Sequence, residues 1–209
     1  MPDKVKLYVQ ELQHSVQVAA LNFDVWWVYK SKDTRPQYVE TMNRYGLFFQ
    51  TSIHAHFVAL LVALYRIYET REDTYNIPSL IKTIKKNASL STSALSAIQS
   101  IYDEARPLWK KVSILRNKAF GHRSKAHTVD EVFAEAGVSA DELKRLVALT
   151  KDLLNEITHA LYDSMHAFNL DATHATLRML SDLKNLRDEK KSANRTFERD
   201  ACRSTRSSM

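Results

Sequence analysis

Residues 57–65 read FVALLVALY, the most apolar stretch of the 209-residue chain. Two histidines precede it and Arg66 follows it, so the apolar run is too short to span a bilayer, and no membrane association is expected. The surrounding pattern over residues 37–70 is helical and becomes apolar on nearly every face after Leu47. The stretch therefore predicts a central helix that other helices cover.

The composition extends this helical expectation to the rest of the chain. Only three glycines and four prolines occur, so tight turns are scarce, while Ala, Leu, Lys, Glu, Gln and Arg are plentiful. The first segment carries an apolar stripe at helical spacing, made of Val5, Tyr8, Leu12, Val16, Ala19, Phe23 and Trp26. The sequence thus predicts an all-α protein.

The same spacing and the capping signals divide the chain into helices. Ser139 and Glu142 form a capping box, Ser-Ala-Asp-Glu, that opens a helix ending near Phe168. Pro107 is expected to kink or restart its helix, and Gly46 is the weak point of the central one. The predicted helices cover approximately residues 5–29, 37–70, 77–87, 92–121, 140–168 and 172–187, with a short turn near 129–136.

This division predicts an antiparallel helical bundle of four to five main helices over residues 1–168. Residues 169–209 are predicted to form a C-terminal helix and a partly disordered basic tail, because almost no apolar residue follows Arg187. The single cysteine, Cys202, excludes an intramolecular disulfide and suits a reducing compartment. The start, MPDKVK, lacks the features of a secretory signal, so a cytoplasmic location is expected.

Positive charge is unevenly distributed along the chain. The formal net charge is +6, and residues 184–209 hold eight basic against four acidic side chains. Residues 105–129 hold seven basic side chains and no acidic one. These are Arg106, Lys110, Lys111, Arg116, Lys118, Arg123 and Lys125. Such a local field attracts phosphates.

Residues 114–122, ILRNKAFGH, place an arginine, an asparagine and a histidine at the end of a helix. Arg116 and Asn117 lie beside its apolar face, but His122 would lie about 240° further round an undistorted helix. Gly121 can end the helix and let the histidine fold back toward the other two side chains. Alternatively, these residues are only cations and a cap that stabilise a helix C-terminus. Spacing alone leaves both interpretations open.

The segment RNKAFGH, residues 116–122, resembles the signature of the HEPN superfamily, an arginine, usually followed by asparagine, and a histidine after four to six residues. Over roughly residues 35–165 the layout is similar to abortive-infection proteins of the Abi-U type. Both have a long helical pair, a polar insertion and then the motif helix. The resemblance implies an all-α, HEPN-like bundle and a homodimer whose two motifs come together.

The resemblance also implies a metal-independent endoribonuclease with a toxin or phage-defence role. Arg116 would hold the scissile phosphate, and His122 would act as general acid or base. Asn117 would orient the histidine or the phosphate with its neutral amide. The ribose 2′-hydroxyl would attack its own phosphate, so DNA would not be cut. The implied partners are RNA and an antitoxin such as a nucleotidyltransferase, with no cofactor and no metal. The predicted RNA-binding residues are Lys110, Lys111, Lys118, Arg123 and Lys125, which could equally be a solvated charged face.

Two other readings stay open. The first is a non-catalytic HEPN-like module that binds nucleic acid or dimerises, in which Arg116 and His122 are structural. The second is a metal-binding bundle, because Glu-x-x-His pairs can supply ligands from two helices. The pairs here, Glu11 with His14 and Glu156 with His159, are predicted to point away from the apolar stripes.

Overall fold

The computed structural model describes the backbone of residues 2–87, 90–121 and 129–206, and side chains within 4–86, 90–120 and 131–192. All regular structure in these ranges is helical, which confirms the all-α prediction. The α-helices are α1 (Pro2–Lys30), α2 (Arg35–Arg44), α3 (Gly46–Tyr68), α4 (Ile77–Asn87), α5 (Thr92–Leu115), α6 (Val129–Ala136), α7 (Ala140–Tyr162) and α8 (Ala172–Arg206). A π-helical segment, Arg116–Gly121, continues α5 and is called the motif turn below.

Four long helices alternate in direction. Helix α1 packs along α3, and its contacts run from Tyr29 with Phe49 to Trp26 with Phe57. Helix α3 packs likewise on α5, and α5 on α7. Buried apolar residues from these helices, together with α4 and α6, form one continuous core. The stripe predicted on the first helix lies in or against this core, which confirms that assignment.

A second, smaller core lies at the end of α1 where α2 and α8 meet. Val28, Met42, Phe49 and Leu180 are buried there. At its edge the Glu40 carboxylate lies 3.1 Å from the Arg187 guanidinium. Helix α8 is thereby attached to the body through α1 and α2.

The predicted single helix over residues 37–70 is wrong, because two helices replace it. Tyr45 has non-helical backbone angles, φ −115° and ψ 40°, and separates α2 from α3. Gly46, one of the weakest helix formers, starts α3 and accounts for the interruption at this point. Pro107, in contrast, lies inside an uninterrupted α5 and does not restart it.

The predicted end of the following long helix at Phe168 is also wrong. The capping box of Ser139 and Glu142 opens α7 as predicted, but α7 ends at Tyr162. Asp163 takes left-handed backbone angles, φ 49° and ψ 41°, and caps it. The Asn155 side-chain carbonyl accepts a 2.9 Å hydrogen bond from the His166 backbone N–H and holds the next segment against α7.

Helix α8 also differs from its prediction. Its backbone is helical to Arg206, where the sequence predicts a partly disordered tail after Arg187. Lys, Glu, Arg and Ala dominate this part of the chain. All four favour a helix even where the sequence has no apolar stripe. The apolar pattern therefore underestimates the length of this helix.

Helix α3 is the one described helix long and apolar enough to cross a membrane, with a mean hydropathy of 1.7. Its contacts are those of a core helix, because α1 and α5 pack along it. His54, His56 and Gln50 also interrupt its apolar surface. Its buried residues are Phe49, Leu60, Leu61, Ala63, Leu64, Ile67 and Tyr68.

Candidate functional site

The predicted site lies where α5 becomes the motif turn. Val112 and Leu115 are fully buried and fix the end of α5 in the core. The Arg116 backbone N–H donates to the carbonyls of both Val112 and Ser113. The six residues Arg116–Gly121 form a π-helix, in which hydrogen bonds join residues five apart and which is frequent at functional sites. The helix is therefore distorted at the motif, so the 240° separation of an undistorted helix does not apply here.

Arg116 is half-buried at the start of the motif turn. Its guanidinium carbon lies 4.5 Å from the centre of the Tyr65 ring, within cation–π distance. One guanidinium N–H also donates a 3.0 Å hydrogen bond to the Asn117 side-chain carbonyl. Among the described side chains, no carboxylate pairs with Arg116. Its positive charge is therefore oriented by a ring and an amide, and no described carboxylate neutralises it.

Tyr65 is itself held in place by α5. The Trp109 indole N–H donates a 3.3 Å hydrogen bond to the Tyr65 backbone carbonyl, and the two rings lie 6.2 Å apart. Sequence reasoning missed Tyr65 as a contributor to the site. The sequence does contain an indication of this role. Tyr65 lies eleven residues after His54, so both side chains lie close to the same face of one helix.

Of the other predicted catalytic and RNA-binding residues, the structure describes some and leaves others out. Asn117 accepts a hydrogen bond from Arg116, a contact that was not predicted, and its predicted role toward the histidine or the phosphate stays a prediction. His122, Arg123 and Lys125 lie outside the described residues, so their assignments stay predictions. His122 directly follows Gly121, the last residue of the motif turn.

Two of the predicted RNA-binding lysines form ion pairs. Lys111 Nζ lies 2.6 Å from a Glu142 carboxylate oxygen, and Lys118 Nζ lies 2.6 Å from one of Glu135. The hydrogen bond from Lys111, aided by the Ser139 backbone N–H, holds the pKa of the Glu142 carboxyl below its usual value. Lys110 is exposed and pairs with no described carboxylate.

A groove of about 730 Å³ lies beside the motif turn. Trp26 of α1, Phe57 of α3 and Phe133 of α6 line it together with Phe120 of the motif turn. Phe57 is central, since its ring centre lies 5.2 Å from Trp26, 5.9 Å from Phe120 and 6.1 Å from Phe133. Sequence reasoning did not place Trp26, Phe57 or Phe133 near the motif.

The two histidines of α3 have different surroundings. His54 is exposed at the groove, with its ring centre 5.8 Å from that of Phe120. His56 shares a 2.8 Å hydrogen bond with the Asn22 amide oxygen, and burial lowers the pKa of its imidazole. His54 is thus the histidine that approaches the motif turn.

The two Glu-x-x-His pairs form no metal site among the described side chains. Glu11, His14 and His159 are exposed, and His159 Nδ1 lies 3.3 Å from an Asp163 carboxylate oxygen. In the described parts of the chain, no three His, Cys, Asp or Glu side chains are grouped so that they could hold a metal ion.

Comparison with known proteins identifies the family. The AbiU2 family model of the HEPN group matches residues 2–190, nearly the whole chain. Comparisons with curated proteins and with solved structures gave no match. The matched range includes the motif turn, the groove and the helices around both. The chain therefore belongs to the AbiU2 family of HEPN abortive-infection proteins.

Proposed function

We propose that this protein is a metal-independent endoribonuclease of the HEPN type that acts in the cytoplasm in a toxin or phage-defence role. The observation that supports this proposal best is the state of Arg116. Its guanidinium is oriented by Tyr65 and Asn117, and no described carboxylate neutralises it. A preorganised, unpaired cation of this kind suits a phosphate that gains negative charge in the transition state.

The proposed reaction follows from the residue types. His122, as general base, takes the proton of the ribose 2′-hydroxyl, whose oxygen attacks the adjacent phosphorus. The bond from phosphorus to the 5′-oxygen breaks, and that oxygen receives a proton from a general acid. The products are a 2′,3′-cyclic phosphate and a free 5′-hydroxyl. Arg116 stabilises the phosphate, and Asn117 keeps its guanidinium in position.

Two partner assignments accompany the proposal. A homodimer would bring two motif turns to one RNA strand, so that the imidazole of one protomer could serve as acid while its partner serves as base. An antitoxin, for example a nucleotidyltransferase, would restrain the activity of the toxin. The family membership supports both assignments.

The test compares wild type with His122→Ala on a labelled single-stranded RNA in excess EDTA, with analysis of the product ends. His14→Ala is the matched control, because His14 is an exposed histidine of α1 outside the site. We expect wild type and His14→Ala to leave cyclic phosphate ends. Loss of a general acid or base should slow His122→Ala by about 10² to 10⁴.

The outcomes separate the proposal from its alternative. A uniformly 2′-deoxy strand should bind without being cut, since it lacks the attacking hydroxyl. If wild type binds RNA but leaves it intact, with and without added divalent metal, the non-catalytic binding module is the better description. Cleavage that disappears in EDTA would contradict the metal-independent mechanism.

A further inference from the structure

The aromatic groove beside the motif turn has the composition of a base-binding pocket. Three of its rings are nearly parallel in series, with interplanar angles of 27° between Trp26 and Phe57 and 18° between Phe57 and Phe133. Phe133 remains 39% exposed, although Phe57 and Phe120 lie beside it. Unpaired bases stack on such aromatic side chains in many single-strand binding proteins.

The rim of the groove is polar and positively charged. Lys30, at the end of α1, is exposed and pairs with no described carboxylate. Gln50 and His54 of α3 supply an amide and an imidazole, groups that can bind the hydrogen-bonding edge of a base. No acidic residue occurs among the described side chains that line this groove. Its charge therefore complements a phosphodiester strand.

The groove and Arg116 lie beside the same helix, α3. Along α3, Tyr65 contacts Arg116, and Phe57, eight residues earlier, contacts Phe120. Eight residues of helix span about 12 Å, so one strand could contact both positions. The groove lies on the side of Arg116 toward which the motif turn proceeds to Phe120.

We infer that this groove binds one unpaired nucleobase of an RNA strand whose neighbouring phosphate contacts Arg116. The inference rests on the proposed ribonuclease function and adds a substrate-binding pocket to it. Phe133 and Trp26 provide stacking surface, Gln50 and His54 contact the base edge, and Lys30 contacts the backbone. A single-stranded substrate is required, because a paired base cannot enter the groove.

The test measures binding instead of cleavage, with a fluorescein-labelled 2′-O-methyl single strand that no 2′-hydroxyl mechanism can cut. The second probe is an abasic sugar-phosphate strand of the same length. Phe133→Ala is compared with Phe48→Ala, an aromatic residue of α3 that is 60% exposed and lies outside the groove. Circular dichroism and thermal melting establish that each variant folds.

Loss of one stacking contact should weaken binding of the base-bearing strand about fivefold to one hundredfold in Phe133→Ala. Binding of the abasic strand should not change, and Phe48→Ala should bind both strands as wild type does. A second measurement, of Trp26 fluorescence, leaves every side chain of the groove unchanged. With Trp27 and Trp109 changed to Phe, the base-bearing strand should quench Trp26 fluorescence and the abasic strand should not.

Three results would overturn the inference. One is equal binding by Phe133→Ala, Phe48→Ala and wild type without any quenching of Trp26. Another is an equal loss with both strands, or no binding of either strand by wild type. The third is a free mononucleotide that binds as tightly as the strand. Failure of the ribonuclease proposal is distinguishable, because it appears as intact unmodified RNA while binding of the uncleavable strand persists.

Discussion

The guanidinium of Arg116 lies over the ring of Tyr65, with 4.5 Å between the guanidinium carbon and the ring centre. The arginine belongs to the motif turn and the tyrosine to α3, so two elements distant in sequence fix one cation. Trp109 anchors the same tyrosine through its backbone carbonyl. Among the described residues, the orientation of Arg116 therefore depends on the Tyr65 ring and the Asn117 amide.

Substitution of Tyr65 should affect RNA cleavage through Arg116. A cation–π contact contributes about 0.5 to 2 kcal/mol, so Tyr65→Leu should lower the single-turnover cleavage rate roughly tenfold. Tyr65→Phe keeps the ring and should retain nearly the wild-type rate. Cleavage assays with thermal melts of both variants check this. An equal loss in Tyr65→Phe would show that the hydroxyl, and not the ring, matters.

The lysines near the motif turn should differ in their contribution to RNA binding. Lys110 is exposed and unpaired among the described residues, whereas Lys118 is paired with Glu135. Lys110→Ala should weaken binding of all sequences alike and reduce the slope of log affinity against log salt by about one. Lys118→Ala should change that slope less. Titrations at several salt concentrations measure both, and equal slopes would contradict the distinction.

The pair of Lys111 and Glu142 should make stability depend on pH. Because the folded-state pKa of Glu142 is depressed, its stabilising contribution is present above the ordinary value of 4.5. The contribution is lost as the pH falls below that value toward the folded-state pKa. Glu142→Gln should therefore lower the free energy of unfolding at neutral pH by about 0.5 to 1 kcal/mol, because it removes the ion pair with Lys111, whereas glutamine can still occupy this position of a capping box.

Urea unfolding at neutral pH and at about pH 3.5 measures this difference, because a free glutamate is protonated at the lower value. The gap between wild type and Glu142→Gln should narrow in acid. Asp141→Asn is the matched control, since Asp141 is the exposed neighbour in the same helical turn. A gap that is the same at both pH values would exclude the linkage.

The sequence predicted the helices better than their ends. Apolar spacing located the core face of α1, and the side-chain chemistry of Ser139 and Glu142 located the start of α7. The end of α7 was missed because Met165 continued the apolar spacing, yet that side chain is 71% exposed. Periodicity detects which residues could face a core. It does not detect a backbone reversal made by an ordinary aspartate such as Asp163.

Because Asp163 has left-handed backbone angles, two substitutions at this position should differ in their effect on the free energy of unfolding. Asp and Asn tolerate left-handed backbone angles, whereas a β-branched residue does not. Asp163→Asn should leave the free energy of unfolding within about 0.5 kcal/mol, and Asp163→Val should lower it by about 1 to 2 kcal/mol. Both variants lose the carboxylate charge near the exposed His159, so that charge cancels in the comparison. Denaturant unfolding that ranks the two equally would contradict the assigned cap.

The candidate site was predictable only in part. Arg116 and Asn117 follow from the motif, because they are adjacent in sequence and in space. Tyr65, Phe57 and Phe133 come from other helices, and only the packing of those helices brings them to the motif turn. The neutralisation of Lys111 and Lys118 was missed for the same reason. Their carboxylate partners lie 31 and 17 residues further along the chain.

The π-helical geometry of the motif turn has a consequence for chain length. A π-helical turn contains one more residue than the α-helical turn that it replaces, so it accommodates a single-residue insertion without displacing the helix before it. Removing Ala119 would restore ordinary helical winding, and the backbone after the turn would keep nearly the same angle about the helix axis relative to Arg116. The number of residues between the arginine and the histidine can therefore change without altering the angle between them about the helix axis only when the winding of the helix changes as well.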